Sequence, residues 1–440
     1  MKQRKEIEAL FPKNGETFDV IVAGGGPAGI GAALAAALNG AKTLLLEAKA
    51  FFGGVAAVSG WMPMNRLLVN GKSRGGVHEI FVAKLKSMGP DAAREGKTSW
   101  VDGDGFHVHP DYLRLAVMEL LEEYRCSYLL HSPVTGVEME GQRITAVVCD
   151  GKYGRRLYSA GVYVDCSGDG DLSYYAGVPF RKGREGDGVF MPVTLGFVLA
   201  NVDEEKLFAA HNTDAGNLSG TIKEAIKKEG CAGSVFFSFD RTTIPGVVSV
   251  NNGGQDDIGI IDATNINDIN VSERAGLQVA FDFIRIARKY KIPGLEHCCL
   301  VRTGADLGVR ETRRIEGEYV MTLEDAQEGK TFTDAVARRY GTIDPGGLRE
   351  DKNYHGTIKN GHDYPYRCML PKEVDPLLVA GRCASLTHLG LTTCKSMGNM
   401  IGIGQAAGLA AALCAKDHVL PRNIDVKRIQ NRLREMKVEI

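Results

Sequence analysis

Gly24, Gly26 and Gly29 stand at the spacing Gly-x-Gly-x-x-Gly, directly after the apolar run Phe18-Asp19-Val20-Ile21-Val22-Ala23. Residues of these types in this order make a phosphate cradle. Gly24 permits a tight turn, Gly26 lets backbone approach a pyrophosphate, and Gly29 allows a helix to pack closely on the strand. Pro27 and Ala28 open that helix, whose free N–H groups and positive dipole end face the diphosphate. Glu47 lies 18 residues beyond Gly29, at the end of a second apolar run over Lys42–Leu46, with Ala48 beside it. A carboxylate there accepts both hydroxyls of an adenosine ribose. A glycine-rich turn that merely joined core elements would have no use for Glu47.

The acid argues against a 2′-phosphate and therefore against NADP at this position, leaving NAD and FAD. A second glycine-rich segment near the other end of the chain bears on the choice. Gly402, Gly404 and Gln405 open an Ala-rich helix expected to start near Met400. Reduced flavin carries negative charge around N1 and the C2 oxygen. A helix N-terminus aimed there stabilises it by roughly 0.3–2 kcal/mol. The same glycines also suit a helix packed tightly on a sheet, and both uses can hold at once.

The elements that must position these residues follow from the hydrophobic pattern. A strand, a helix to about Asn39 with Gly40 at its C-cap, and a second strand make a βαβ opening. An amphipathic helix is expected over 111–125, with Pro110 at its start. Strand-like runs near 127–131, 133–139, 143–149 and 155–159 follow, and a fifth at 161–165 leads into Cys166-Ser167-Gly168-Asp169. A β-meander inserted there is not the regular alternation of a nicotinamide dehydrogenase, and it favours FAD. From about 177 to 374 turn signals are dense, with helices near 203–212, 219–229 and 271–290. The buried-strand pattern returns at Leu377–Arg382. The first domain is thus expected to be discontinuous.

Composition narrows the classes further. The chain has 440 residues, 44% of them apolar and 24% charged, so two or three folded units are expected. The 54 glycines exceed the usual ~7% and fit many tight turns and close backbone approaches. A net charge of −1 gives no electrostatic reason to expect nucleic acid or an anionic membrane as partner. The stretches near 20–46 and 400–415 are read as too polar and too rich in Gly and Ala to cross a bilayer. The basic start, followed by Glu6 and Glu8 and not by an apolar run, is not expected to act as a signal peptide. Ten cysteines without a Cys-x-x-Cys pair point to reduced thiols and a cytoplasmic location.

These residues resemble bacterial FAD-dependent oxidoreductases of the glutathione-reductase structural type, distantly related to fumarate reductase flavoproteins. The resemblance covers most of the chain, through Gly24–Gly29, Glu47, Gly53-Gly54, Val164–Asp171, Gly308–Arg314, Pro365–Arg367, Leu378–Arg382 and Gly404–Gly408. It implies an α/β fold: a glutathione-reductase-type FAD-binding Rossmann-like domain, with parallel sheet and β-meander, and an inserted α+β substrate domain. The FAD-binding domain would comprise 1–60, 110–176 and 375–440, and the substrate domain 61–109 and 177–374. By the same resemblance Gly53, Gly54 and Val55 pass beside the ribityl chain and flavin. Val134 meets the adenine through its backbone, and Ser167-Gly168 close over the adenosine side. Gly381-Arg382 replace a Gly-Asp pair near the ribityl phosphate, and Gln405 caps the pyrimidine end. Family members commonly carry Glu after the Thr-His pair and an Arg further on, where this chain has Leu389 and Lys395. No substrate carries over.

Three residues are candidates for the chemistry. His388 follows the returning strand, where a neutral imidazole either takes the proton that accompanies hydride transfer or only orders the loop. Arg310, ahead of Arg313 and Arg314, either clamps an anionic substrate or joins ion pairs with Glu311, Glu316 and Glu318. Lys395 either stabilises flavin or substrate charge or is solvated. Tyr366 and Arg367 are expected to pack at least as readily as to take part in catalysis, Cys394 to lack a dithiol partner, and His107-x-His109 to cap the 111–125 helix rather than bind metal. The expected function is hydride or electron-pair transfer between non-covalent FAD and a small organic substrate, with a separate electron donor or acceptor and no nucleic acid or membrane partner. An oligomer is compatible with the sequence. A redox-neutral flavoenzyme and a flavin-dependent tRNA-modifying protein are the alternatives.

Overall fold

The computed structural model describes residues 3–96, 105–211, 218–231, 233–234, 236–252, 254, 258–341, 343, 361–393 and 395–440. The apolar run at the start forms β1 (Thr17–Ala23), buried from Val20 onward. Gly24–Gly26 turn the chain into α1 (Pro27–Leu38), which has Pro at its first position, and β2 (Thr43–Leu46) follows. The helix expected from Pro110 is α2 (Pro110–Glu123), leading to β3 (Ser127–Leu129). The meander is β4 (Val134–Glu140), β5 (Arg143–Gly151) and β6 (Gly154–Asp165).

The fourth and fifth strand-like runs are thus one strand of twelve residues. It continues because it changes partners along its length. Its first part pairs antiparallel with β5, from Gly154↔Gly151 to Tyr158↔Val147. Its second part pairs parallel with β1, from Thr17↔Ser159 to Ala23↔Asp165. The strand Leu377–Val379 returns beside the end of β6, also parallel. The parallel strands therefore run in the order β3-β2-β1-β6 with the 377–379 strand beyond, and the carboxyl ends of β1 and β6 lie side by side. Ligands of open α/β sheets bind outside such ends.

A second, antiparallel sheet forms from β7 (Phe197–Ala200), β8 (Phe237–Arg241), β9 (Val248–Asn252) and β10 (Cys299–Thr303), in the order β8-β9-β7-β10. The helices expected in this region span Glu204–His211, α3 (Leu218–Lys228) and α4 (Ile266–Lys289). Helix α4 starts earlier than its apolar pattern suggested, because Asn265 caps it by accepting the Asn267 N–H at 2.9 Å. Phe197, Phe237, Phe239 and Phe283 centre a core of their own between this sheet and its helices.

Residues 61–109, expected on the substrate side, contribute Met64, Leu67, Phe81, Leu85 and Phe106 to the core that holds α1. The last long helix is α5 (Met397–Asp417). By length and composition it reaches what a membrane span needs, contrary to the reading of 400–415, yet almost all of it is buried inside the protein. Its small residues explain the burial. A Cβ on Gly404 would lie 1.9 Å from the Ala28 carbonyl oxygen, and one on Gly408 2.0 Å from that of Ala32. Helices α1 and α5 therefore touch backbone to backbone.

Candidate cofactor and active site

Four segments meet around the first turn of α1. Gly24 (φ +96°) turns so close to the end of β6 that a Cβ would fall 2.4 Å from the Cys166 carbonyl oxygen. Gly53 donates its N–H to the Gly25 carbonyl at 2.9 Å. Gly54 lies over Gly26 and Pro27, where a Cβ would sit 3.0 Å from Gly26 Cα. Gly381 (φ +102°) lies beside Ala28, with room for a Cβ only at 3.1 Å from the Ala28 Cβ. Gly26 differs from these. Its φ is −74°, no side chain caps the helix there, and a Cβ would meet only Gly54 Cα at 3.9 Å. The helix N-terminus is thus walled by backbone and open at Gly26, which fits a diphosphate.

Glu47 is buried beside this turn. Its Oε2 accepts the Gly25 N–H at 2.7 Å and its Oε1 the Lys49 N–H at 2.8 Å. Each carboxylate oxygen keeps a further lone pair for a ribose hydroxyl. Ala48 is exposed, and Lys49 forms an ion pair with Asp306. Burial lowers the Lys49 ammonium from its ordinary range, against the pull of Glu47. Ser132 donates its N–H to the Glu47 carbonyl at 2.8 Å, which brings the half-buried Val134, at the start of β4, near this acid. Val55 begins a single turn of helix, Val55–Val58, directly after Gly54.

Asp165 at the end of β6 holds the next loop. Its Oδ1 accepts both the N–H and the Oγ–H of Ser167, at 3.1 and 2.7 Å, and its Oδ2 accepts Ser173. Gly168 follows, its Cβ position 3.1 Å from an Arg382 nitrogen. Arg382 donates to Asp169 Oδ1 at 2.6 Å and to Thr312 Oγ1 at 3.0 Å. Burial pushes Asp169 up, but Arg382 and the Thr312 hydrogen bond outweigh it and hold the carboxyl below its ordinary value.

The expected position of the last helix needs correction. Because α5 starts at Met397, Gly402 and Gly404 lie in its second turn and not at its N-terminus. Gly404 packs on α1, while Gly402 faces His78, whose Cε1 is 3.2 Å from the Cβ position. Gln405 is buried and accepts the Val77 N–H through Oε1 at 2.5 Å, which ties α5 to the helix Val77–Ser87. These three residues join helices. The N-terminus of α5 presents Ser396–Asn399 instead, three positions before the expected start.

The three chemical candidates converge on one short strip, Met191-Pro192. His388 is buried at the start of a short helix (His388–Thr392), and its Nδ1 donates to Glu311 Oε2 at 2.8 Å. The same Glu311 oxygen accepts the Met191 N–H at 3.1 Å. Arg310 donates to the Pro192 carbonyl at 2.9 Å. Lys395 Nζ lies 3.4 Å from the Met191 sulfur. Burial pushes Glu311 up, but the His388 hydrogen bond and the Arg314 guanidinium hold it below the usual carboxylate range. With Nδ1–H committed to Glu311, His388 Nε2 has no hydrogen-bond partner among the described residues.

Arg313 and Arg314 serve the scaffold. Arg314 is buried against Glu311 and Glu185, and Arg313 donates to Asp169 and Asp171. Tyr366 is buried with its hydroxyl on the Pro421 carbonyl, and Arg367 pairs with Asp334. His109 caps α2 by accepting the Asp111 N–H at 3.2 Å. Cys394 lies outside the described residues. Glu311 is expected only as an ion-pair partner of the neighbouring arginines, which it is for Arg314; Thr312 and Asp169 escaped the residue-by-residue reading. Their one signal was membership of the Gly308–Arg314 and Val164–Asp171 segments.

The sequence model of the FAD-dependent oxidoreductases matches residues 19–433. The chain belongs to this family. It is an enzyme, a flavoprotein, and its cofactor is FAD. In the family's wider surroundings, 76 residues are 40% identical to 4-oxocyclohex-2-ene-1-carboxylate 5-dehydrogenase of Sinomonas cyclohexanicum, covering 17% of this chain and 12% of that one. A further 89-residue match, 37% identical, is to 3-oxosteroid 1-dehydrogenase of Mycolicibacterium smegmatis, covering 20% and 13%. The matches thus span about an eighth of either relative. The FAD-dependent chondrochloren halogenase from a myxobacterium shares the fold, at a TM-score of 0.51 and 16% identity over 96% of this chain and 79% of that one. This flavoprotein is accordingly a mixed α/β protein built around a parallel sheet.

Proposed function

We propose that this enzyme passes a hydride or an electron pair between one non-covalently held FAD and a small organic substrate, with His388 handling the accompanying proton. Bound FAD supplies the two-electron donor or acceptor. Gly24, Gly26, Pro27, Ala28 and Gly29 hold the diphosphate, and Glu47 with its neighbour Ala48 the adenosine ribose. Gly53, Gly54 and Val55 line the ribityl side, Val134 and Ser167-Gly168 the adenosine side, and Gly381-Arg382 the middle of the cofactor. Glu311 fixes the imidazole so that Nε2, the free nitrogen, accepts or returns a proton. Arg310 and Lys395 favour an anionic group in the substrate or in the reduced centre.

The observation that carries this reading is the convergence of His388, through Glu311, with Arg310 and Lys395 on the Met191-Pro192 strip. Residues separated by up to 204 positions meet there, and all three carry the groups the reaction uses. In this reading the chain has the glutathione-reductase type of FAD domain, discontinuous over 1–60, 110–176 and 375–440, and remotely akin to fumarate reductase flavoproteins. The antiparallel sheet and its helices form the substrate side. The enzyme works in the cytoplasm and exchanges electrons with a separate partner. A panel of organic donors, followed by loss of the ~450 nm flavin band without oxygen, tests it. Reduction by a substrate in the wild type, slowed in His388→Asn and with higher KM in Arg310→Ala, is the expected result. Equal rates in all three would refute the assignment.

A further inference from the structure

Arg339, the last residue of the strand Ala335–Arg339, is completely buried. Its Nη2 lies 2.6 Å from His362 Nε2, the facing residue on the strand His362–Pro365, and 3.5 Å from Thr393 Oγ1. A guanidinium only donates, so His362 Nε2 is the acceptor and the imidazole is neutral there. Among the described residues Nε and Nη1 have no hydrogen-bond partner and no carboxylate pairs with Arg339. Other buried arginines of this chain are satisfied: Arg314 has Glu311 and Glu185, and Arg74 has the Arg66 and Arg338 carbonyls and Asn399. A buried cation with neutral neighbours and idle N–H groups is costly unless something anionic joins it. Two features say where. Thr393 closes the short helix that His388 opens, and at Gly341, two residues beyond Arg339, a Cβ would meet, among the described residues, only the Thr393 carbonyl oxygen, at 3.9 Å.

We infer that Arg339 is the anchor for a carboxylate of the substrate, entering beside Gly341 and Thr393 at the far end of the helix that carries His388. That the carboxylate belongs to the substrate rests on the reading of His388 given above; that Arg339 binds a carboxylate does not. The guanidinium suits a planar, delocalised acid and not its amide, since only the acid carries the missing charge. Neutral His362 takes one N–H and leaves the others to the ligand.

The test titrates the FAD-loaded enzyme with acetate, benzoate and succinate, and with acetamide, benzamide and succinamide at equal concentrations. Thermal midpoint and the visible flavin spectrum are both read. At least one acid is expected to raise the midpoint and perturb the spectrum, while its amide does neither. Arg339→Gln should weaken that acid at least tenfold with FAD content unchanged. Arg339→Lys, which keeps the charge and loses the fork, should fall between them. If Arg339→Gln does not fold, the acid–amide comparison in wild type and the Lys variant still decide. No acid binding in wild type, equal binding of acids and amides, or undiminished affinity in the variants would overturn the inference. An acid that moves the midpoint and leaves the spectrum untouched would overturn the substrate role. Acid binding beside unchanged flavin reduction in His388→Asn would instead refute the proton-transfer reading alone.

Discussion

His388 Nδ1 sits 2.8 Å from Glu311 Oε2, and both side chains are buried. The second Glu311 oxygen is held by Arg314, so the carboxylate can neither rotate nor leave, and the imidazole keeps one orientation. A histidine whose Nδ1–H is fixed by an acid presents Nε2 as its working nitrogen.

Glu311→Gln should therefore slow flavin reduction by about 100-fold or more, the usual range for loss of a positioned proton-transfer group. FAD content should stay near that of the wild type, because Arg314 retains Glu185. Single-turnover reduction without oxygen measures it. An unchanged rate would show that His388 only orders its loop.

Packing and cofactor contact separate at the glycines of α5. Gly404→Ala and Gly408→Ala each push a methyl into the backbone of α1 and should cost about 1–3 kcal/mol or more. Gly402→Ala meets the edge of His78 at 3.2 Å and an Arg74 nitrogen at 3.5 Å, side-chain atoms rather than backbone, and should cost clearly less, with FAD retained. Thermal midpoints with and without FAD check both. Loss of FAD from a stable Gly402→Ala would restore Gly402 to the cofactor.

The opening of the chain was legible because its chemistry is local. Strand, glycine turn, helix and Glu47 lie within 31 residues, from Thr17 to Glu47, and each step has its own side-chain signature. The His388–Glu311 pair was not, since the partners are 77 residues apart and no periodicity links them. Helix α5 was misplaced at its start because Met397, Gly398 and Asn399 look like loop residues. They become helical by burial, where Asn399 donates to the Tyr340 carbonyl and accepts the Tyr340 N–H. The runs 155–159 and 161–165 look like two strands because a strand that exchanges an antiparallel neighbour for a parallel one has no sequence signature of its own.

Glu47→Gln should weaken FAD by roughly tenfold to a hundredfold, the equivalent of about 1.5–3 kcal/mol for a hydrogen bond to a charged group. The same change loosens the Gly25 N–H at the mouth of the cradle. Equilibrium titration of the flavin-free chain measures it, and wild-type affinity would remove Glu47 from the ribose.

Asp171 supplies a pH dependence. Burial, with the charges of Asp169 and Asp165, pushes its carboxyl up to about 6 in spite of Arg313. A raised carboxyl favours folding below its ordinary value near ~4, and that contribution is lost as pH rises through about 6. Asp171→Asn should then be the more stable protein above that pH and lose its advantage in acid. The side chain is 42% exposed, so the gain is discounted to about 1 kcal/mol. Thermal midpoints across the range check the sign, and parallel curves would contradict it.

The cradle itself is tested most directly at Gly26, where the backbone is acceptable to any residue and a Cβ would meet nothing closer than Gly54 Cα at 3.9 Å among the described residues. FAD titration of Gly26→Leu against wild type is the measurement. We expect one FAD per wild-type chain, released intact on denaturation, and at least about 100-fold weaker binding in the variant, equivalent to roughly 2.7 kcal/mol, with an unchanged midpoint of the flavin-free protein. Equal affinity in both would contradict the placement of the diphosphate over this turn.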